Sequence, residues 1–354
     1  MNQYLSDKIK ILSTVSILLV LFIHVAFYAN EVENCTIFPY IQHLMGKVIG
    51  SCAVPLFFMI SGYLFFLKVP DGLYSIFQKM KKRVRTLLVP YLIAALFFVL
   101  FFIAIESIPG ADRFMNSSLL SVLSKQNILQ ILQNVFWSGT VGDSPLAYHL
   151  WFLRDLLIIV VFSPVIFYCL KYLKWIWIVI LFALIYFKLG LFLNITAFFY
   201  FSFGGLLVNY SRLVNLKSGK YVTLALLLLS LIIIAAKTIL PDYFLWQIVN
   251  IPVTLLLILA LWQIYNFVVP SGFVLSKQSL LSKITSYNFF IYLFHIPPMF
   301  LFKKAIVFSL GKTELAYFVS YFISPVLIVC MYVCMAQWIR RKFPQFYSVI
   351  VGGR

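Results

Sequence analysis

Charge is what this chain has least of. Only 11% of its 354 residues are Asp, Glu, Lys or Arg, against roughly a quarter in soluble domains. Hydrophobic residues make up 63%, and mean hydropathy is +1.00. That balance excludes an ordinary water-soluble enzyme and indicates a polytopic membrane protein. Acidic residues are scarcer still, ten against 28 basic ones. The resulting net charge of +18 does not point to nucleic acid, because Lys and Arg are spread over short segments between apolar runs. The five cysteines build nothing together. Cys35 falls in a loop, Cys52 and Cys169 in apolar runs, and Cys330 with Cys334 in one helix, so neither a disulfide framework nor a zinc set is indicated. No internal repeat and no appended soluble domain is visible, and residues 1–354 are expected to form a single transmembrane domain.

Ten apolar stretches read as spans: 11–29, 48–67, 87–106, 147–169, 173–191, 195–210, 221–240, 245–268, 284–303 and 315–338. No small-residue cleavage site follows the first, which reads as a retained helix. With the N-terminus inside, nineteen of the 28 basic residues fall in inner segments, eight in outer ones, and Arg154 within the membrane. Positive charge gathers on the cytoplasmic side, so both termini are expected there, although Lys303, Lys304 and Lys312 run against the rule. The expected fold is therefore all-α, a polytopic membrane helix bundle of about ten transmembrane helices. The longest loop, about 107–146, is then extracytoplasmic, and Ile128–Val135 suits a short helix on the membrane surface.

His24 lies near the far end of Ile11–Ala29, nineteen residues without formal charge. Lys10, Ser13 and His24 share one helical face, with His24 about 16 Å beyond Ser13. An ionisable group at such depth is costly and turns to the bundle interior or a wet cavity. Two readings stand: a packing histidine bonded to a neighbour's carbonyl, or a proton-handling residue facing a substrate pocket. The run Lys79–Arg85 (KMKKRVR), with Lys82, Arg83 and Arg85, attracts anionic lipid headgroups by default and equally suits the phosphates of a nucleotide-type donor. His149, Trp151, Arg154 and Asp155 open the fourth span. Trp151 is placed as in an aromatic belt, while Arg154 and Asp155 are expected to pair with other helices, since adjacent positions do not face each other. In the ninth span Asn288, Tyr292 and His295 form a polar face, and Pro297-Pro298 should kink or end the helix. His24, His149 and His295 all fall in the outer half, so a pocket opening outward is expected. Metal is not: the histidine spacings match no ligand motif, and no carboxylate stands at i+3 or i+4.

These stretches, taken in order, resemble the integral-membrane acyltransferase 3 family. The likeness is carried by His24 in the first helix, VPLFFMISGYLFF, KKRVRTLLVPYL, HLWFLRDLL, FSFGGLL at 201–207 and SYNFFIYLFHIP, and covers nearly the whole chain. It implies an O-acyltransferase of the bacterial cytoplasmic membrane that moves an acyl group, most often acetyl, to sugars of surface polysaccharides. It also implies acyl-CoA (acetyl-CoA) as donor substrate with no bound cofactor, a glycan or lipid-linked glycan as acceptor, and membrane lipids as surroundings. His24 is then the catalytic base. Lys82, Arg83 and Arg85 are the expected donor contacts, with Lys10 standing in for the arginine that the family carries where this chain has Ser13. His149, Trp151, Arg154, Tyr292 and His295 are the expected acceptor or oxyanion contacts. The rival reading is a transporter or flippase of a lipid-linked glycan or small metabolite, because polar stripes on apolar helices serve a substrate path equally well. A non-catalytic anchor or sensor would have little use for so many interior ionisable groups.

Overall fold

A computed structural model describes residues 2–67, 69, 72–109, 119–138, 144–188, 193–276 and 278–353. Among them every regular element is helical. Lys68, Arg113, Lys277 and Arg354 of the charge count, residues 189–191 of the fifth expected span, and 110–118 and 139–143 of the long loop lie outside the described residues.

The first helix, α1 (Gln3–His24), starts at Asn2, whose side chain accepts from the Leu5 N–H at 2.9 Å. It stops at His24, short of the expected Ala29. The cause is remote in sequence. Gln42 accepts from the Phe27 N–H at 3.0 Å and donates to the Phe27 carbonyl at 3.2 Å, while Glu31 accepts from the Tyr28 N–H at 2.8 Å. Those backbone groups, turned to side-chain partners, do not extend the helical ladder. The second helical run, α2 (Phe38–Phe66), begins ten residues before the expected 48 and passes through a π stretch (His43–Ile49) and a 3-10 turn before its regular part, Ala53–Phe66. After it come α3 (Leu73–Glu106), with the basic run in its opening turns, and the short α4 (Ile128–Phe136), opened by a capping box between Asn127 and Gln130.

Besides two single turns at Leu119–Leu123 and Ser211–Val214, the remaining helices of the described residues are α5 (Trp151–Val161), α6 (Ser163–Tyr172), α7 (Trp175–Tyr186), α8 (Ile195–Leu206), α9 (Lys220–Ile239), α10 (Leu245–Val268), α11 (Leu280–Phe294), α12 (Ile296–Leu310), α13 (Glu314–Lys342) and α14 (Pro344–Ile350). Among the described residues five helices are long and apolar enough to cross a membrane, namely α2, α3, α9, α10 and α13. Two bent pairs, α5 with its preceding turn and α6, and α11 with α12, raise the number to seven. The shortfall from ten lies in α1, whose opening turns hold Asp7, Lys8 and Lys10, and in α7 and α8. Each of those two has 12 residues, a length of about 18 Å against a hydrocarbon core of about 30 Å. The protein is a polytopic helical membrane protein.

The helices sort into two compact units. One comprises Met1–Lys79 and Phe162–Asn288, the other Met80–Val161 and Phe289–Arg354. In the first, α2 and α8 meet backbone to backbone. A Cβ on Gly62 would lie 1.9 Å from the Phe201 carbonyl, and one on Gly204 would lie 1.9 Å from the Met59 carbonyl, so only hydrogen fits at either crossing point. On α9, Leu228, Leu231 and Ile232 are more than half exposed, as an apolar side facing lipid requires. In the second unit, Pro90 inside α3 has no N–H for the Thr86 carbonyl. Gly352, at φ 65°, presses against that same carbonyl, where a Cβ would stand 2.1 Å away. The turn after α14 is thus fitted to a gap in the α3 ladder.

Candidate active site

In the first unit the site is α1 and what holds its two ends. His24 is the last residue of the helix and is half-buried. The chain beyond it is tied down by the Gln42–Phe27 pair, three residues on. Sequence reading missed Gln42, because nothing local marks a glutamine fifteen residues away as the group that ends a helix.

The other end of α1 is a charged knot. Asp7, fully buried, accepts from Gln3 at 2.9 Å, from the Leu275 N–H at 3.1 Å and from Lys10 at 3.1 Å. Lys10 is half-exposed in that ion pair. The lysine that is buried is Lys8, which sequence reading did not single out. Its ammonium donates to Asn266 Oδ1 at 2.8 Å and lies 3.8 Å from the centre of the Trp262 ring. Ser13 is half-buried one turn on. The neighbouring Thr14 hydroxyl and the Asn288 amide bond at 2.9 Å, so Asn288 serves α1 instead of joining the polar group around His295.

In the second unit His149, Tyr292 and His295 do come together, at the break between α11 and α12. The bend there is 85°. Its chemistry follows from two prolines. In a regular helix the N–H at 297 would bond to the Leu293 carbonyl, and that at 298 to Phe294, but proline has no N–H to give. Both carbonyls find side chains instead. His149 Nε2 donates to Leu293 at 3.1 Å, and the Tyr332 hydroxyl donates to Phe294. His295 Nδ1 donates to the Tyr292 carbonyl at 2.8 Å, and the Tyr292 hydroxyl donates to the His149 carbonyl at 2.8 Å. Carbonyls only accept, so in the neutral rings the proton sits on His149 Nε2 and on His295 Nδ1. Both rings are buried and meet edge to face at 5.1 Å. The hydrogen-bond donors of Tyr292 and His149 are directed at backbone.

Arg154 finds a partner beside it in its own helix as well as one at the end of α4. Its Nε and Nη2 donate to the same Asp155 oxygen at 3.0 and 2.8 Å, and its Nη1 to the Trp137 carbonyl at 2.7 Å. Adjacent side chains leave a helix about 100° apart, but the arginine stem is long enough to fold back over that angle. Trp151 is the half-buried first residue of α5. Lys82 and Arg85 are exposed and Arg83 half-buried, all in the second unit. Among the described residues no group of three or more His, Cys, Asp or Glu is placed to hold a metal ion.

The profile of a family described as an acyltransferase domain matches residues 8–336, nearly the whole chain. The chain belongs to this family. The acyltransferase is also similar to the succinoglycan biosynthesis protein ExoH of Rhizobium meliloti (strain 1021), at 24% identity over an alignment covering all of this chain and 94% of the relative. No solved structure matches it. The match begins at Lys8, so the buried lysine and the His24 end of α1 lie within the enzyme domain.

Proposed function

We propose that this acyltransferase moves an acyl group, acetyl from acetyl-CoA in the first instance, to a sugar hydroxyl of a cell-surface or lipid-linked polysaccharide at the bacterial inner membrane. The observation that carries the reading is the family match over 8–336, together with a histidine that ends α1 with the chain beyond it pinned. The succinoglycan name of the relative supports a polysaccharide acceptor. In the proposed reaction His24 takes the proton of the acceptor hydroxyl as its oxygen attacks the thioester carbonyl. The new C–O bond forms, the C–S bond breaks, and the proton passes to the departing CoA thiolate. Lys82, Arg83 and Arg85 are proposed to hold the CoA phosphates, with Lys10 and Ser13 at the inner end of α1. The acceptor and the developing oxyanion are assigned to Trp151, Arg154, His149, Tyr292 and His295, the last three first of all as the frame of the break.

The proposed topology has ten crossings, with both termini cytoplasmic and the chain working as one domain. In it α1, α7 and α8 cross despite their charge or length. Mass spectrometry of envelope glycans from cells with and without the gene tests the function. A difference of one acyl unit, lost again with His24→Ala, is expected. The rival transporter reading draws on one observation, the two broken helix pairs, which are the form that substrate paths through membranes take. An unchanged acyl pattern with altered glycan amount would favour it.

A further inference from the structure

The first unit contains an apolar pocket of about 390 Å³, walled by Leu56, Met59 and Ile60 of α2 and Leu255, Ile258 and Leu259 of α10. The proposed acyl transfer has no use for it. Ile9 lies on its wall, and Ile9 to His24 is about 22 Å along α1, so an occupant does not reach the reacting atoms. The glutamine at its border is already satisfied. The Gln263 amide donates to the Leu216 carbonyl at 3.2 Å and accepts from Asn266 at 2.9 Å and from the Ser218 N–H at 3.3 Å. What the pocket offers an occupant is hydrocarbon contact.

The chain at its mouth is basic. Leu213, Val214 and Leu216 line it, and residues 211–220 carry Arg212, Lys217 and Lys220 with no acid. Lys217 donates to the Ser271 hydroxyl at 2.6 Å and sits over the Tyr4 ring at 4.6 Å. The Tyr4 hydroxyl and Lys8 both donate to Asn266 Oδ1, so the two lysines share one neighbourhood and repel each other. The nearby carboxylate, Asp7, is taken by Gln3, Lys10 and Leu275. Among the described residues neither Lys217 nor Arg212 forms an ion pair. An apolar slot with uncompensated cations at its mouth, in a membrane protein, has the complement of an amphipathic anion.

We propose that the pocket seats an anionic glycerophospholipid, one acyl chain between α2 and α10 and its headgroup phosphate against Lys217 and Arg212. The proposal does not rest on acyl transfer, and its test is run on the full chain in the inactive His24→Ala background. Trp262 lines the pocket and reports on it. The protein is reconstituted in phosphatidylcholine vesicles containing a small fraction of phosphatidylglycerol with dibrominated chains, and tryptophan quenching is followed. Quenching is expected at low phosphatidylglycerol content, in a component absent from Trp262→Phe. The same fraction of brominated phosphatidylcholine should leave that component untouched. The double variant Arg212→Gln with Lys217→Gln changes exposed residues only. It should shift the half-effect about 25-fold, at about 5-fold per basic residue. Leu255→Phe, filling the slot, should remove the component. Equal quenching by both lipids, or no response to the double variant, would leave only unselective bilayer contact and overturn the proposal. Displacement by acetyl-CoA would overturn it too, by assigning the pocket to the donor.

Discussion

His24 and His295 look alike in sequence, each a lone histidine in an apolar run, and the structure gives them opposite circumstances. His24 ends a helix, half-buried, with the backbone beyond it held by Gln42. His295 is wholly buried inside a broken helix, its Nδ1 on the Tyr292 carbonyl, edge to face with His149, which satisfies Leu293. The second arrangement answers a backbone need created by Pro297 and Pro298. The difference teaches that a membrane histidine should be read against the carbonyls around it before it is assigned to chemistry.

The comparison breaks or sharpens under mutation. The largest effect is expected for His24→Ala: acylation should fall about 10²–10⁴-fold, as for loss of a general base, with normal protein in the membrane. Near-normal acylation would put His24 in the same structural class as His149. His149→Leu should do the reverse. It orphans the Leu293 carbonyl, costing about 1–3 kcal/mol in detergent unfolding, and any activity loss should follow from that instability. Gln42→Leu frees the loop beyond His24 and should lower kcat about tenfold, the worth of one to two hydrogen bonds, with little change in melting. An equal fall in melting temperature would make Gln42 a fold residue only.

A double-mutant cycle is sharper though smaller. Pro297→Ala returns an N–H to the Leu293 carbonyl, so His149→Leu should cost about 1 kcal/mol less in that background than alone. Additive losses would contradict the account of the break. The smallest effect belongs to Lys10. Its half-exposed pair with Asp7 is worth at most about 1 kcal/mol, so Lys10→Ala should raise the KM for acetyl-CoA no more than about fivefold with kcat kept. Ser13→Arg added to it should recover part of the loss.

Much was legible in the chain itself. The pattern that matters most, long apolar runs punctuated by Lys and Arg, located the helices, and 245–268 coincides with α10 end to end. Proline chemistry is local, so the break after His295 was readable from Pro297-Pro298. Local geometry also misled. The rule that neighbours on a helix diverge spoke against pairing Arg154 with Asp155, whereas the flexible guanidinium reaches it.

What the sequence by itself determined is the helical, membrane-embedded character, the family, and the short list of histidines, because hydropathy, proline and spacing act within a turn or two. Only the tertiary structure decided where α1 ends, that Lys8 and not Lys10 is the buried lysine, and that Asn288 bonds to Thr14 while Tyr292 and His149 serve the break. Those outcomes depend on Gln42, Asn266, Leu275 and Leu293, groups 15 to 268 residues away from the residues they hold. A buried donor or acceptor must be satisfied by whatever the fold brings within about 3 Å, and sequence distance carries no record of that.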